Sequence, residues 1–271
     1  HLLKVARATS TSVVRVFYDG SMIQSKRRRY VEQRQILKRE GYRIQIYELQ
    51  GELMFASTDA LIRDVADHWD KTDFLILDFH RVVDIDAAST RLLSSLLANN
   101  MTGDKCLLFT GTEDKYQFRR ALKKMVGESR NNEMHRFAEA DRALEWCEDQ
   151  LLQNQTMEPG DVTMSSLERQ DLCYQFSEAD FEFIRRVGIR RHYADDEIIF
   201  QTGAAGDSLF FLFSGLVDTV VKTKGGEELR LITLCADMPF GEVSPVSGEP
   251  RSAAARAVGD VFRPHAGLDF L

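Results

Sequence analysis

The run Phe74-Leu75-Ile76-Leu77-Asp78-Phe79 constrains the fold more than any other feature of the chain. Successive side chains of a strand point to opposite faces. A strand that is apolar on both faces must therefore be covered on both, which is the habit of central strands in sheets packed between helices. The neighbouring sequence supplies such helices. Thr58–Trp69 places Leu61, Ile62, Val65, Ala66 and Trp69 on one face of a helical repeat. Asp86 is placed to cap a second helix running to Asn99, with Leu92, Leu93, Leu96 and Leu97 inward.

The alternation extends from Arg43 to Gln150. Ile44, Ile46, Tyr47 and Leu49 read as a strand that Leu53–Phe55 continues beyond Gly51. Lys105–Thr110 is another buried strand, Tyr116–Met125 a helix, Met134–Phe137 a short strand and Ala138–Leu152 a last helix. Strands alternating with helices predict a layered α/β domain over residues 41–152. Ahead of it, Ser12–Tyr18 alternates weakly, as an edge strand does. Lys26-Arg27-Arg28-Arg29 then opens a polar, helical stretch, Tyr30–Glu40. Four basic residues suit phosphate or a membrane surface, or simply a solvated linker. The shortness of the run and the acidic residues after it favour the linker. Residues 1–40 thus read as a linker or the end of an upstream domain.

A polar segment with Pro159-Gly160 marks a second linker over residues 153–166. Beyond Leu167 the pattern changes. Ser177–Val187 is a helix with Ser177 as cap and Asp180 completing the box. Short strand-like pieces follow: Glu197–Phe200, Ser208–Phe213, Leu216–Lys222, Glu228–Leu234 and Ala253–Ala257, with a hairpin turn at Gly225-Gly226. Residues 167–271 therefore predict a small β-roll with flanking helices. The fold class is α+β overall.

A formal net charge of -7 argues against a nucleic-acid partner. No apolar run approaches the roughly 20 residues needed to span a bilayer, and no signal peptide is visible. Cys106, Cys147, Cys173 and Cys235 are far apart and form no C-x-x-C pair, so buried thiols in a reducing, cytoplasmic setting are expected, with no metal site. The six histidines are scattered, and no hydrolase, zinc or phosphate-loop motif occurs. Asp84 and Asp86 read as a turn plus helix cap rather than an acid/base pair. No catalytic residue can be named. The first residue is His1, not Met, which suggests a chain that begins inside a longer reading frame or has been processed.

Two stretches resemble known families. Phe74-Leu-Ile-Leu-Asp-Phe-His-Arg-Val-Val-Asp-Ile-Asp-Ala-Ala-Ser-Thr-Arg-Leu-Leu93 resembles the centre of STAS domains, a family of anti-sigma-factor antagonists and the cytoplasmic ends of SulP anion transporters. The family places Asp-Ser-Ser-Gly at the helix start, and the antagonists are phosphorylated on the second serine. Here Asp86 keeps its place, but Ala87, Ala88 and Ser89 follow, and Ala88 stands at the phospho-acceptor position. The resemblance implies a protein partner at this loop without the hydroxyl that phosphorylation needs.

The second stretch, His192–Val261, resembles cyclic-nucleotide-binding domains. Glu197-Ile-Ile-Phe-Gln-Thr-Gly203, Gly206-Asp-Ser-Leu-Phe-Phe-Leu-Phe-Ser-Gly215, Phe240-Gly-Glu242 and Pro250-Arg-Ser-Ala253 stand in the family order. The resemblance implies a regulatory ligand, cyclic AMP or cyclic GMP, held by Phe240, Gly241, Glu242, Arg251, Ser252 and Ala253. Arg251 would meet the phosphate charge and Glu242 the ribose 2′-hydroxyl. Gly241 would let the backbone approach, and N–H groups at Ser252-Ala253 or at the short helix after Phe240 would cradle phosphate oxygens. Three features depart from the family pattern. Pro245 sits in the short helix and removes an N–H; Asp196 and Asp237 replace customary turn glycines; and the chain stops at Leu271, without the C-terminal lid helix.

STAS followed by a cyclic-nucleotide module resembles the tail of two kinds of bacterial protein. One is a glutaminase, converting L-glutamine to L-glutamate and ammonia; the other is a SulP-type anion transporter. His1-Leu-Leu, Ser12-Val-Val-Arg-Val-Phe-Tyr-Asp-Gly20 and Ser25-Lys-Arg-Arg-Arg29 look more like the exit from a glutaminase domain, and Lys4 and Arg7 speak against the end of an apolar span. A stand-alone signalling adaptor is the third reading. The resemblance implies a regulatory region acting on an upstream catalytic or transport domain of the same chain, in a full-length homo-oligomer.

Overall fold

The computed structural model describes residues 13–100, 105–126, 136–153 and 166–258. They form two compact units. The first holds the described residues up to Ser25 and from Tyr30 to Gln153; the second holds Lys26–Arg29 and residues 166–258.

The first unit is built on a five-stranded sheet in the order β1-β2-β3-β4-β5: β1 (Val14–Asp19), β2 (Ile44–Leu53), β3 (Phe74–Ile85), β4 (Cys106–Thr110) and β5 (Arg136–Phe137). β1 is antiparallel to β2, and the other pairings are parallel. Among the described residues the helices that accompany it are α1 (Val31–Glu40), α2 (Phe55–His68), α3 (Ala87–Asn100), α4 (Tyr116–Val126) and α5 (Ala140–Gln153). Leu75, Leu77 and Phe79 belong to one core with Leu61 and Val65 of α2, Leu93 of α3, and Phe118 and Leu122 of α4. Phe74 and Ile76 belong to the opposite core with Leu37 of α1 and Ala143, Leu144, Cys147 and Leu151 of α5. This is why the β3 run is apolar at every position but Asp78. Val14–Asp19 and Val31–Glu40, read from sequence as a weak strand and a polar helix outside the domain, form β1 and α1 of this unit. Ser25 is held there by Glu148, fully buried on α5, whose carboxylate accepts from the Ser25 amide at 2.7 Å and its hydroxyl at 2.6 Å.

One element differs from its expectation. β2 continues past Gly51 as expected but ends at Leu53; Met54 and Phe55 do not extend it, because Met54 is the N-cap of α2 and α2 starts at Phe55. Ser57 turns the chain: its hydroxyl accepts from the Met54 amide at 3.2 Å and donates to the Met54 carbonyl at 2.9 Å.

The second unit is a β-roll. Its four-stranded antiparallel sheet runs β6-β11-β8-β9: β6 (Ile198–Phe200), β11 (Ala254–Val258), β8 (Leu216–Lys222) and β9 (Glu228–Cys235). A two-stranded ribbon pairs β7 (Phe210–Phe211) with β10 (Pro239–Phe240). Leu212, Val217, Phe240, Ala255 and Ala257 form its core. Helix α6 (Glu178–Val187) packs Phe181 against Phe211 and Phe213. The Ser177 hydroxyl accepts from the Asp180 amide at 3.4 Å, and Asp180 accepts from the Ser177 amide at 2.8 Å, so the capping box is formed. A one-and-a-half-turn helix, α7 (Val243–Ser247), follows β10.

The basic run is not a solvated linker. The Arg28 amide donates to the Thr233 carbonyl at 2.8 Å, the Thr233 amide donates to the Lys26 carbonyl at 3.2 Å, and Lys26 Nζ donates to the Arg230 carbonyl at 3.0 Å. Lys26–Arg29 thus lies along the outer edge of β9, in parallel register at Arg27, and Arg29 is buried. An open edge presents unpaired backbone groups, and this segment satisfies them. The predicted linker over residues 153–166 and the absence of a lid helix fall mostly or wholly outside the described residues.

Candidate functional site

Two aspartates hold the turns that frame the roll. Asp196 and Asp237 have φ of +64° and +71°, a region that favours glycine. Asp237 Oδ2 lies 3.3 Å from Arg169 Nη2, and Asp196 Oδ1 lies 3.4 Å from Arg256 Nη1. The turns thus keep their glycine-like geometry without glycine. Pro245 is also accommodated. It is the third residue of α7, inside the first turn, where an N–H has no partner within the helix.

Phe240, Gly241, Glu242, Arg251, Ser252 and Ala253 all line one cavity of about 590 Å³ in the second unit, a size suited to a small-molecule ligand. Arg251 is its centre. The side chain is 5% exposed, and its guanidinium lies over the Phe200 ring at 4.3 Å and near the Phe210 ring at 5.7 Å. Nη1 donates to the Gly241 carbonyl at 2.6 Å and Nη2 to the Ser208 carbonyl at 2.7 Å. A guanidinium has five N–H donors. Nε is buried without a partner, and among the described residues no carboxylate forms an ion pair with Arg251. The Asp207 carboxyl feels this charge without reaching ion-pair distance, and a buried cation with an unused donor is an arrangement that an anion can satisfy.

The surroundings are shaped to this side chain. Gly241 has φ +75°, and a Cβ there would lie 2.7 Å from Arg251 Nη1. At Gly206 a Cβ would lie 2.2 Å from Ser244 Cβ and 3.0 Å from Arg251 Nε. Glu242 is exposed at the start of α7. Ser252 is exposed and Ala253 half-buried, immediately before β11. Sequence reasoning did not assign Phe200, Phe210, Ser208, Gly206, Ser244 or Arg28 to the site. The aromatic pair was visible inside the quoted motifs, but only the fold shows that Phe200 and Phe210 face the same guanidinium.

The loop between β3 and α3 is the other candidate. Asp86 caps α3: its Oδ1 accepts from the Ser89 amide at 2.6 Å, and its Oδ2 accepts from the Phe55 amide at 3.3 Å. The Ser89 interactions hold this carboxyl below its ordinary range. Ser89 is fully buried, and its hydroxyl accepts from Thr58 Oγ1 at 2.9 Å. Ala88 is half-buried.

Nothing else among the described residues pairs a nucleophile with a base. His80 Nδ1 lies 2.7 Å from Asp78 Oδ1, and the Thr110 hydroxyl donates to that same oxygen rather than to the imidazole. Burial pushes the Cys106 thiol up to about 11 and the Cys147 thiol well above its usual value. Burial also raises Cys173 and Cys235, so all four are weak nucleophiles at neutral pH. Among the described residues no group of histidine, cysteine and carboxylate side chains is arranged to hold a metal ion, and no helix is long and apolar enough to cross a membrane.

Comparison with known proteins finds two family matches. Residues 35–100 match the STAS domain family, and residues 190–262 match the cyclic nucleotide-binding domain family. Glutaminase 2 of Bradyrhizobium diazoefficiens is 32% identical over 244 residues, 90% of this chain and 38% of the relative. Glutaminase 1 of the same organism is 28% identical over 253 residues, 93% of this chain and 39% of the relative. The chain thus spans about two fifths of the length of the curated relatives it matches. Among solved structures, the catabolite activator protein of Thermus thermophilus is 30% identical, with a TM-score of 0.32, covering 37% of this chain and 45% of that one. The chain is a STAS domain followed by a cyclic nucleotide-binding domain, homologous to part of the two glutaminases.

Proposed function

We propose that this chain is the C-terminal regulatory region of a glutaminase, and that its β-roll binds a cyclic nucleotide, cyclic AMP or cyclic GMP. The observation that carries the ligand is Arg251: a buried guanidinium with an orphaned Nε and, among the described residues, no carboxylate within ion-pair distance, set in the wall of a ligand-sized cavity. Nε and the unused Nη hydrogens meet the single phosphate charge. Glu242 accepts from the ribose 2′-hydroxyl, Gly241 leaves room for the sugar, and Ser252-Ala253 offers backbone donors.

The glutaminase assignment rests on similarity along nine tenths of the chain to two glutaminases of greater length. The STAS-like domain proposed spans 41–152, extended at its N-terminus by β1 and α1 on the same sheet and core, and the cyclic-nucleotide-binding-like domain spans 167–271, joined to it by 153–166. A cytoplasmic setting is supported by four free thiols. Regulation then works through contacts that differ between the active and inactive states of the catalytic domain, with ligand favouring one of them. The β3–α3 loop is the proposed contact for a protein partner, and the full-length protein is proposed to be a homo-oligomer.

Ammonia release from glutamine tests the reading. It should be absent for this chain alone, present for the full-length protein, and altered by cyclic nucleotide. Activity that ignores both nucleotides would remove the regulatory role. A full-length protein carrying repeated apolar spans would replace the glutaminase with an anion transporter.

A further inference from the structure

Arg28 reaches the same cavity as Arg251, although it precedes the roll by more than a hundred residues in sequence. Its backbone is fixed by the hydrogen bond to the Thr233 carbonyl at 2.8 Å, and its side chain is exposed. From Arg251 the chain passes through Ser252 and Ala253 into β11, whereas the backbone at Arg28 lies outside β9, beyond β8. Three strand spacings separate these lines, about 14 Å. Leu231, Leu234 and Met238 contribute apolar wall to the same cavity. A buried cation, an apolar wall and a second cation are thus laid out along one cavity.

We propose that Arg28 is a specificity-determining residue that reads the base of the bound nucleotide and selects guanine. This rests on the cyclic-nucleotide reading above. The ligand has one phosphate charge, and Arg251 already answers it. The far cation is then left to the purine. Guanine shows two acceptors, O6 and N7, on one edge, which a guanidinium fork meets with two parallel donors. Adenine shows an acceptor and an amino donor there, and a group that can only donate has no match for the second. The strap along β9 brings in a residue that the roll's own motifs do not contain.

Calorimetry of this chain with cyclic GMP and cyclic AMP tests the proposal. Wild type should bind cyclic GMP about tenfold more tightly, the order a bidentate guanine contact supplies. Arg28→Ala should weaken cyclic GMP by about that factor and leave cyclic AMP within about twofold. Arg28→Lys, which keeps the charge but not the fork, should also lose the preference. Both variants keep the Arg28 amide and hence the strap. A wild-type preference for cyclic AMP, equal weakening of both ligands, or no change in either would overturn guanine selection while leaving nucleotide binding intact. Wild type that binds neither would overturn the cyclic-nucleotide reading itself, and this proposal with it.

Discussion

The Arg251 guanidinium lies over Phe200 at 4.3 Å from the ring centre and donates to the carbonyls of Gly241 and Ser208. The ring contact and the two hydrogen bonds hold the cation before any ligand arrives, so less freedom is lost on binding. Arg251→Ala should therefore weaken cyclic-nucleotide binding by about 2–5 kcal/mol, the range for removing a buried charge partner. Glu242→Ala should cost about 0.5–1.5 kcal/mol, or up to about 3 for a charged acceptor. Titration calorimetry of the two variants gives the order; a larger loss from Glu242 would reverse these roles.

Gly206 carries a second expectation. A methyl group there meets Ser244 and the Arg251 Nε together. Gly206→Ala should destabilise the roll by about 1–3 kcal/mol, as overpacking does, and should weaken ligand binding as well. Urea unfolding alongside calorimetry checks both. Full stability in the variant would mean that α7 moves aside freely.

The turn at Asp196 separates conformation from charge. Asp196→Ala and Asp196→Gly lose the same contact with Arg256, an exposed ion pair of small worth. Only alanine then carries the left-handed penalty, so it should be less stable than the glycine variant by about 1 kcal/mol. Equal melting temperatures would contradict the positive φ.

For the first unit, a STAS-type serine kinase should leave the β3–α3 loop unmodified. Ala88 has no hydroxyl, and Ser89 is buried against Thr58. Phosphate found on Ser89 by mass spectrometry would require the start of α3 to open. The cap has a pH signature too. Because Asp86 titrates below its unfolded value of about 3.9, its stabilisation is complete above that pH and fades as pH falls through the lower folded value. Asp86→Asn should flatten that acid limb in thermal melts between about pH 5 and about pH 2, where carboxylates titrate.

Much of this was legible because local pattern and tertiary role coincide. The β3 run announced helices on both faces, and Ser177-x-x-Asp180 announced the start of α6. The six cavity residues stood in two short motifs, and the fold brings them together. The start of α2 was misread because Met54 and Phe55 are apolar and extend the strand pattern, although Ser57 was the available signal. The strap at Lys26–Arg29 carried no signal at all. Its partner Thr233 lies some two hundred residues away, and charge alone resembled a solvated run. Arg28 was missed for the same reason, whereas Phe200 stood inside a quoted motif and only the fold shows that its ring lies under the Arg251 guanidinium.

The most direct measurement is isothermal titration of this chain with cyclic AMP and cyclic GMP up to millimolar concentration, on wild type and Arg251→Lys. The account predicts saturable heat at one nucleotide per chain for wild type, and at least about tenfold weaker binding when the planar fork becomes a point charge. No heat from wild type with either nucleotide, or equal affinity in Arg251→Lys, would contradict a nucleotide site organised around Arg251.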